Sequence, residues 1–196
     1  PIWDGRGNVD QASPVTTYTL HGTADWLRAG MPGLSMLVQQ WFRDGSQITM
    51  FSDSLIKDVN IGKGGQLTSD GSTWKCIVVP ECTTMPETTL SRIVKLANEG
   101  AHIIFIGKHP QQVPGFHQRE QRQTAMDQTW SNIFASPTSQ KESATNSYKV
   151  GRGLITLAPD WQTARTAGGW LSEPMASITL GIRRIRIGTK PAHFIV

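Results

Sequence analysis

Two apolar runs flank one amphipathic segment, and together they narrow the possible folds more than any other feature of this chain. The runs are "KCIVVP", residues 75–80, and "AHIIFIG", residues 101–107. Neither alternates polar with apolar residues, as a strand with one wet face would. Each therefore reads as a strand covered on both faces. Between them, Leu90, Ile93, Val94 and Ala97 recur at helical spacing and predict a buried stripe. Thr84 is placed to cap that helix, with Pro86 near its first turn and Glu87 three residues after the cap. Gly100 supplies the stop. Two buried strands joined by one helix run parallel, because an antiparallel pair needs only a tight turn.

The rest of the chain extends the pattern. Strands are expected at about residues 14–20, 47–51, 75–80, 101–107, 151–158, 177–187 and 192–196. Leu34, Leu37, Val38, Trp41 and Phe42 form a helical stripe ended by Gly45. The connection at residues 52–73 is rich in Gly, Ser and Asp, with one helical turn and a small hairpin at "SDG". Residues 119–134 predict a helix with Met126, Trp130 and Phe134 inward, and Asp160 caps a short helix in "DWQTARTAGGW". Residues 1–13 read as an N-terminal arm and 111–148 as a loop or insert region. Strands alternating with helices predict a single α/β domain over residues 1–196. Its expected sheet is doubly wound and mostly parallel, with helices on both faces and a C-terminal antiparallel hairpin added to it.

Composition excludes more than it suggests. The net charge of +4 is small and dispersed, so nucleic acid is not an expected partner. The densest basic run, "RRIRIGTK", alternates with isoleucine like a strand with one solvated face. No stretch is long and apolar enough to span a bilayer. The first residues, "PIWDGRGNVDQ", carry no basic-then-apolar leader, and the chain is expected to be part of a larger polypeptide. Cys76 and Cys82 are separated by extended sequence, and six steps at roughly 3.3 Å span about 20 Å. A disulfide between them is not expected.

In an open parallel sheet, functional groups collect beyond the carboxyl ends of the strands, near a switch point. If the strands at 14–20, 75–80 and 101–107 are neighbours, His21, Glu81, Cys82, Lys108 and His109 meet there. A cysteine near a histidine and a glutamate is the vocabulary of a nucleophilic hydrolase. A nucleophile in such a fold sits on a tight elbow with small flanking residues, however, and Cys82 stands between Glu81 and Thr83 with no glycine beside it. Cys82 therefore reads as a loop residue. "GRGNVD" and "GKGGQ" do not link a strand to a helix as nucleotide-binding loops do. His21, His102, His109, His117 and His193 lack metal-ligand spacing, so no metal and no cofactor are expected. Nothing in the spacing of Asp53, Asp58, Glu81 and Glu87 singles out a carboxylate pair. Trp41 and Trp130 read as core, whereas Trp26 is the tryptophan best placed to stack on a sugar.

The run "GGQLTSDGSTWKCIVVPECTTMPETTLSRIVKLANEGAHIIFIGKHPQQVPG" resembles a passage in large glycoside hydrolases of the alpha-L-rhamnosidase type. There a G-x-L hairpin leads to a strand ending V-V-P, then M-x-x-x-T-L, a helix, G-A and an apolar strand. "GRGLITLAPDW" is similar to a later G-x-G-x-V strand, and "IRRIRIGTKPAHFIV" to a terminal hairpin in which a histidine stands where this chain has Arg183 or its neighbour. The Gln- and Ser-rich insert after Pro114 departs from the pattern. The resemblance spans about residues 15–196. It implies a flavodoxin-like or glutamine-amidotransferase-like module beside a catalytic barrel, in a secreted or periplasmic enzyme. It carries no catalytic residue onto this chain. The implied partners are the catalytic domain of the same polypeptide and carbohydrate. His21, Trp26, Glu81, Lys108 and His109 are the candidate substrate-binding residues. The expected role is that of a non-catalytic accessory domain supporting the catalytic domain or its sugar site. Two alternatives stand beside it: a free-standing amidotransferase-like hydrolase using Cys82 with His21 or His109, and a carbohydrate-binding module.

Overall fold

The computed structural model describes residues 40, 46, 48, 49, 51–136 and 145–170, and the backbone of 182–187 and 190–195. The expected strand at 14–20 and candidates His21 and Trp26 lie outside these residues, and of the expected helix around Leu34 to Phe42 the described residue, Gln40, is helical and exposed. The central sheet has four strands: β4 (Cys76–Val79), β5 (His102–Ile106), β6 (Asn146–Val150) and β7 (Gly153–Ala158), in the order β4-β5-β7-β6. The first three in that order run parallel, and β6 pairs antiparallel with β7 at the edge.

Helix α1 (Glu87–Glu99) makes the crossover from β4 to β5, as the sequence predicts. It buries Leu90, Ile93, Leu96 and Ala97, while Val94 is half-buried. Its cap differs from expectation: Pro86 is the N-cap residue and no side chain caps the helix. Thr84 instead forms a parallel bridge with Gln112, which commits it to the neighbouring loop. Helix α2 (Arg119–Phe134) buries Met126, Trp130 and Ile133, and leaves Phe134 40% exposed rather than inward. Successive four-residue steps fall 40° further around a 3.6-residue helix, so Ile133, three residues after Trp130, takes the inner position. Both helices pack on the face formed by Val79, Ile103, Phe105, Val150 and Ile155. Helix α3 (Trp161–Gly168) covers Ile104, Ile106 and Ala158 on the opposite face.

This is not the doubly wound parallel sheet that the sequence suggested, nor the flavodoxin-like version of it. Such a fold reverses its strand order, so that crossovers leave the first strand in both directions. Here the parallel strands follow one another in one direction, and the remaining neighbour is an antiparallel edge strand. No strand-order reversal, and hence no switch-point crevice, occurs among the described residues. The molecule is a small mixed α/β fold.

Two further sheets stand apart from this one. Strands β1 (Asn60–Ile61), β2 (Leu67–Ser69) and β3 (Ser72–Trp74) form an antiparallel meander. Its turn is the expected "SDG" hairpin: Asp70 and Gly71 both have positive φ, as a two-residue hairpin turn with right-handed twist requires. A 3-10 turn at Ile56–Asp58 precedes it. Of the expected strand at 47–51, the described residues Ile48, Thr49 and Phe51 have no regular structure. Phe51 packs edge-on against Trp74, whose indole N–H donates to Thr49 Oγ1 at 3.0 Å. The C-terminal strands β8 (Ile182–Ile187) and β9 (Lys190–Ile195) pair antiparallel with each other rather than extending the central sheet.

Arg92 on α1 ties the meander to the core. Its guanidinium donates to the carbonyls of Ile56, Lys57 and Val59. A side chain that satisfies several carbonyls of one turn holds that turn where Ile56, Val59 and Leu67 enter the core. Arg92→Met keeps the apolar stem and removes these bonds, with an expected loss of about 2 kcal/mol in urea unfolding. A loss below about 0.5 kcal/mol would show that the turn is held by packing alone.

Candidate functional site

The carboxyl ends of β4, β5 and β7 share one edge, and their exit loops are hydrogen-bonded together. Gly107 N–H donates to Ala158 O at 2.8 Å. The amides of Gln111 and Gln112 both donate to Thr83 O, at 3.0 and 3.1 Å, and Met85 N–H donates to Gln112 O at 3.0 Å. The loops after β4 and β5 therefore continue side by side past the sheet. This brings Glu81 and Cys82 to the same edge as Lys108 and His109, although no switch point is present.

Glu81 lies over the exit of β5. Gly107 has φ +70, and a Cβ there would sit 2.8 Å from Glu81 Oε2. Only glycine accepts both that backbone conformation and that close carboxylate. Glu81 and Lys108 are exposed. His109 is half-buried against the aromatic side chains of α2, with its ring 4.6 Å from Trp130 and 5.3 Å from Phe134. Burial lowers its pKa and favours the neutral imidazole.

From the end of β7, Asp160 joins the same edge. Its Oδ1 accepts from Thr163 N–H at 2.8 Å and so caps α3, as the sequence predicts. These hydrogen bonds hold its carboxyl below the usual aspartate range, so it stays ionised and is a poor proton donor near neutral pH.

Cys82 is half-buried against the core, and burial pushes its thiol up to about 11, with the Asp53 and Glu81 carboxylates adding in the same direction. At pH 7 roughly one such thiol in ten thousand is a thiolate. Among the described residues no hydrogen bond joins it to an imidazole. Cys76 is likewise raised to about 11 by burial, and both cysteines are free. In a Cys76→Ala protein, alkylation of Cys82 is expected to be at least about tenfold slower at pH 7 than that of a free thiol of pKa near 8.5. It should accelerate about tenfold per pH unit up to pH 11. A plateau reached below pH 9 would contradict this.

Sequence reasoning overlooked two sets of residues. The first pins the loop between β5 and α2. Gln123 accepts from Val113 N–H at 3.0 Å and donates to Gln111 O at 2.8 Å. Arg122 donates to His117 O and Gly115 O, and pairs with Glu87 at 3.5 Å. This rigidity was hidden because its partners belong to a segment that reads as Pro- and Gln-rich loop. The second is a polar chain across the sheet, in which His102 Nε2 meets Thr156 Oγ1 at 2.9 Å and Thr156 Oγ1 meets Ser147 Oγ at 3.0 Å. Thr156 is fully buried. Thr156 within the apolar "LITLA" was the available signal.

Burial lowers the pKa of His102 below its ordinary value of 6.5. The folded state therefore resists protonation, while the unfolded chain takes up a proton as pH falls through about 6.5. Stability is complete above that value and is lost as pH drops toward the folded pKa. His109 acts in the same sense. The urea midpoint is expected to fall between pH 7 and pH 5, and His102→Gln should flatten that slope. An unchanged slope in the variant would remove His102 from the account.

The geometry presents an edge of exposed, capped and aromatic-packed groups on a mixed α/β scaffold. Among the described residues no cluster of three or more His, Cys, Asp or Glu side chains could hold a metal, and no helix is long and apolar enough to cross a membrane. Sequence comparison supplies the class: a glycoside hydrolase family model, described as alpha-L-rhamnosidase, matches residues 49–171, which is more than half of the chain. The protein belongs to that alpha-L-rhamnosidase family. No curated protein and no solved structure matches it.

Proposed function

We propose that this chain is a non-catalytic accessory module of an alpha-L-rhamnosidase-type glycoside hydrolase, supporting the catalytic domain or its sugar site within the same polypeptide. In this reading the enzyme acts outside the cytoplasm, as a secreted or periplasmic protein. The observation that carries it is the state of the groups at the carboxyl edge. Glycoside hydrolysis uses two carboxyl groups facing one groove, one held as an acid and the other ionised. Here Asp160 is held ionised by a helix cap, and the thiol of Cys82, beyond the end of β4, is pushed up to about 11. Glu81, exposed over Gly107, and Asp160 leave the ends of β4 and β7, with β5 lying between those strands.

The test is kinetic. In the polypeptide that carries this module, Glu81→Gln and Cys82→Ala are expected to leave kcat on an aryl alpha-L-rhamnoside within about twofold. The 196-residue chain alone should show no turnover. A loss of about a hundredfold or more in either variant, or turnover by the isolated chain, would place the chemistry here instead.

A further inference from the structure

We propose that Phe134, held against Trp130 and flanked by His109 and Tyr148, is a stacking platform for a neutral hexopyranose. This inference rests on the glycoside hydrolase reading above and gives the module a sugar contact of its own.

The Phe134 ring is fixed but not covered. Phe134 is the last residue of α2 and keeps 40% of its surface exposed. Its ring stacks on Trp130 at 5.6 Å with 24° between the planes. His109 stands against it at 5.3 Å and 74°, and Tyr148 of β6 at 5.3 Å and 57°. Behind it, Trp130 is buried and held edge-on at 5.1 Å by Phe105, from the middle of the sheet. The exposed ring is thus anchored through a continuous aromatic column to the most rigid part of the fold. A ring already immobilised loses little side-chain entropy when a ligand stacks on it.

The surroundings suit a sugar. A pyranose presents a patch of C–H bonds on one face and hydroxyls around its rim. The patch lies on an aromatic face, and the hydroxyls need donors and acceptors nearby. The neutral imidazole of His109 provides one of each, and the phenol of Tyr148 does the same. Burial favours the uncharged imidazole at His109, which fits an uncharged ligand better than an acidic one. All four residues fall within the segment 49–171 that matches the family. Phe116, though 91% exposed, has no aromatic neighbour of this kind among the described residues and lacks the preorganisation.

The test is titration of the 196-residue chain with L-rhamnose and a rhamnose-terminated oligosaccharide, read by tryptophan fluorescence and calorimetry. Saturable binding is expected, weakened about tenfold in Phe134→Leu, which keeps the apolar bulk and removes the π face. Phe134→Tyr should bind within about threefold of the parent, and the thermal midpoint of the leucine variant should match that of the parent. No saturable signal from the parent chain, or equal affinity in Phe134→Leu, overturns the platform. Weakening that appears only with a lowered thermal midpoint also overturns it, because packing alone would then explain the change. If the platform fails while Glu81→Gln and Cys82→Ala leave turnover intact, the accessory reading survives without it. Catalysis by the isolated chain would sink that reading and leave the binding result standing.

Discussion

A Gly153→Ala protein is expected to lose about 3 kcal/mol or more of folding stability, enough to unfold a domain of ordinary marginal stability at 37 °C. The cause is a crossing of backbones. Gly153 opens β7 where it passes the end of α1 and the start of β5. A methyl group there would lie 2.2 Å from Ala101 O, 2.3 Å from Ala97 O and 2.9 Å from Ala101 N. These are backbone atoms and cannot rotate away as the tip of a long side chain could. They are also committed: Ala97 O accepts from Gly100 N–H at the end of α1, and Ala101 O accepts from Leu154 N–H at 3.0 Å. Arg152 N–H, one residue earlier, donates to Asn98 O at 3.1 Å. Accommodating the methyl would pull β7 off this junction and break bonds on both sides of it. Equilibrium urea unfolding is the measurement, with Lys95→Ala on the exposed face of α1 as a control expected to change by about 0.5 kcal/mol or less. A Gly153→Ala loss below about 1 kcal/mol would mean that the crossing is looser than described.

Phe105→Ala is expected to cost about 3–5 kcal/mol, since the side chain is fully buried and the space it leaves is walled by sheet and helix. Part of its effect reaches the surface. Phe105 braces Trp130, and Trp130 carries both His109 and Phe134. Removing the brace should lower the near-ultraviolet circular dichroism of the aromatic column even where the fold persists, and weaken any sugar binding in step. Phe105→Leu retains most of the volume and should recover more than half of the stability. If it recovered stability but not the aromatic signal, the edge-on ring contact itself would be identified as what orients Trp130.

The parts of the fold that were legible share a physical cause. The strands at 76–79 and 102–106 declare themselves as continuous apolar runs, and the helix at 87–99 as apolar residues recurring at helical spacing. The hairpin at Asp70 and Gly71 declares itself through turn chemistry confined to two residues. Strand β6 did not. In "NSYKV" only Ser147 and Val150 are buried, as suits an edge strand with half its surface in water, and the preceding residues read as linker. Its pairing with β7 is local, but the insertion of β7 between β5 and β6 is decided by contacts far apart in sequence. The candidate site divides in the same way. Glu81, Cys82, Lys108 and His109 were placed at strand ends from the strands alone, whereas the state of each group depended on neighbours from other elements.

By itself, then, the sequence determined which segments are strand and helix in the centre of the domain, and which residues leave the carboxyl ends of those strands. Periodicity and turn chemistry act over a few residues and need no partner to be read. Only the tertiary structure decided the one-directional strand order, the closeness of Gly153 to α1, the burial that raises the Cys82 thiol, and the placing of Phe134 at the surface of an aromatic column. Each of these depends on which distant segments share a face, and the free energy that selects them belongs to the packed interior rather than to any local stretch of chain.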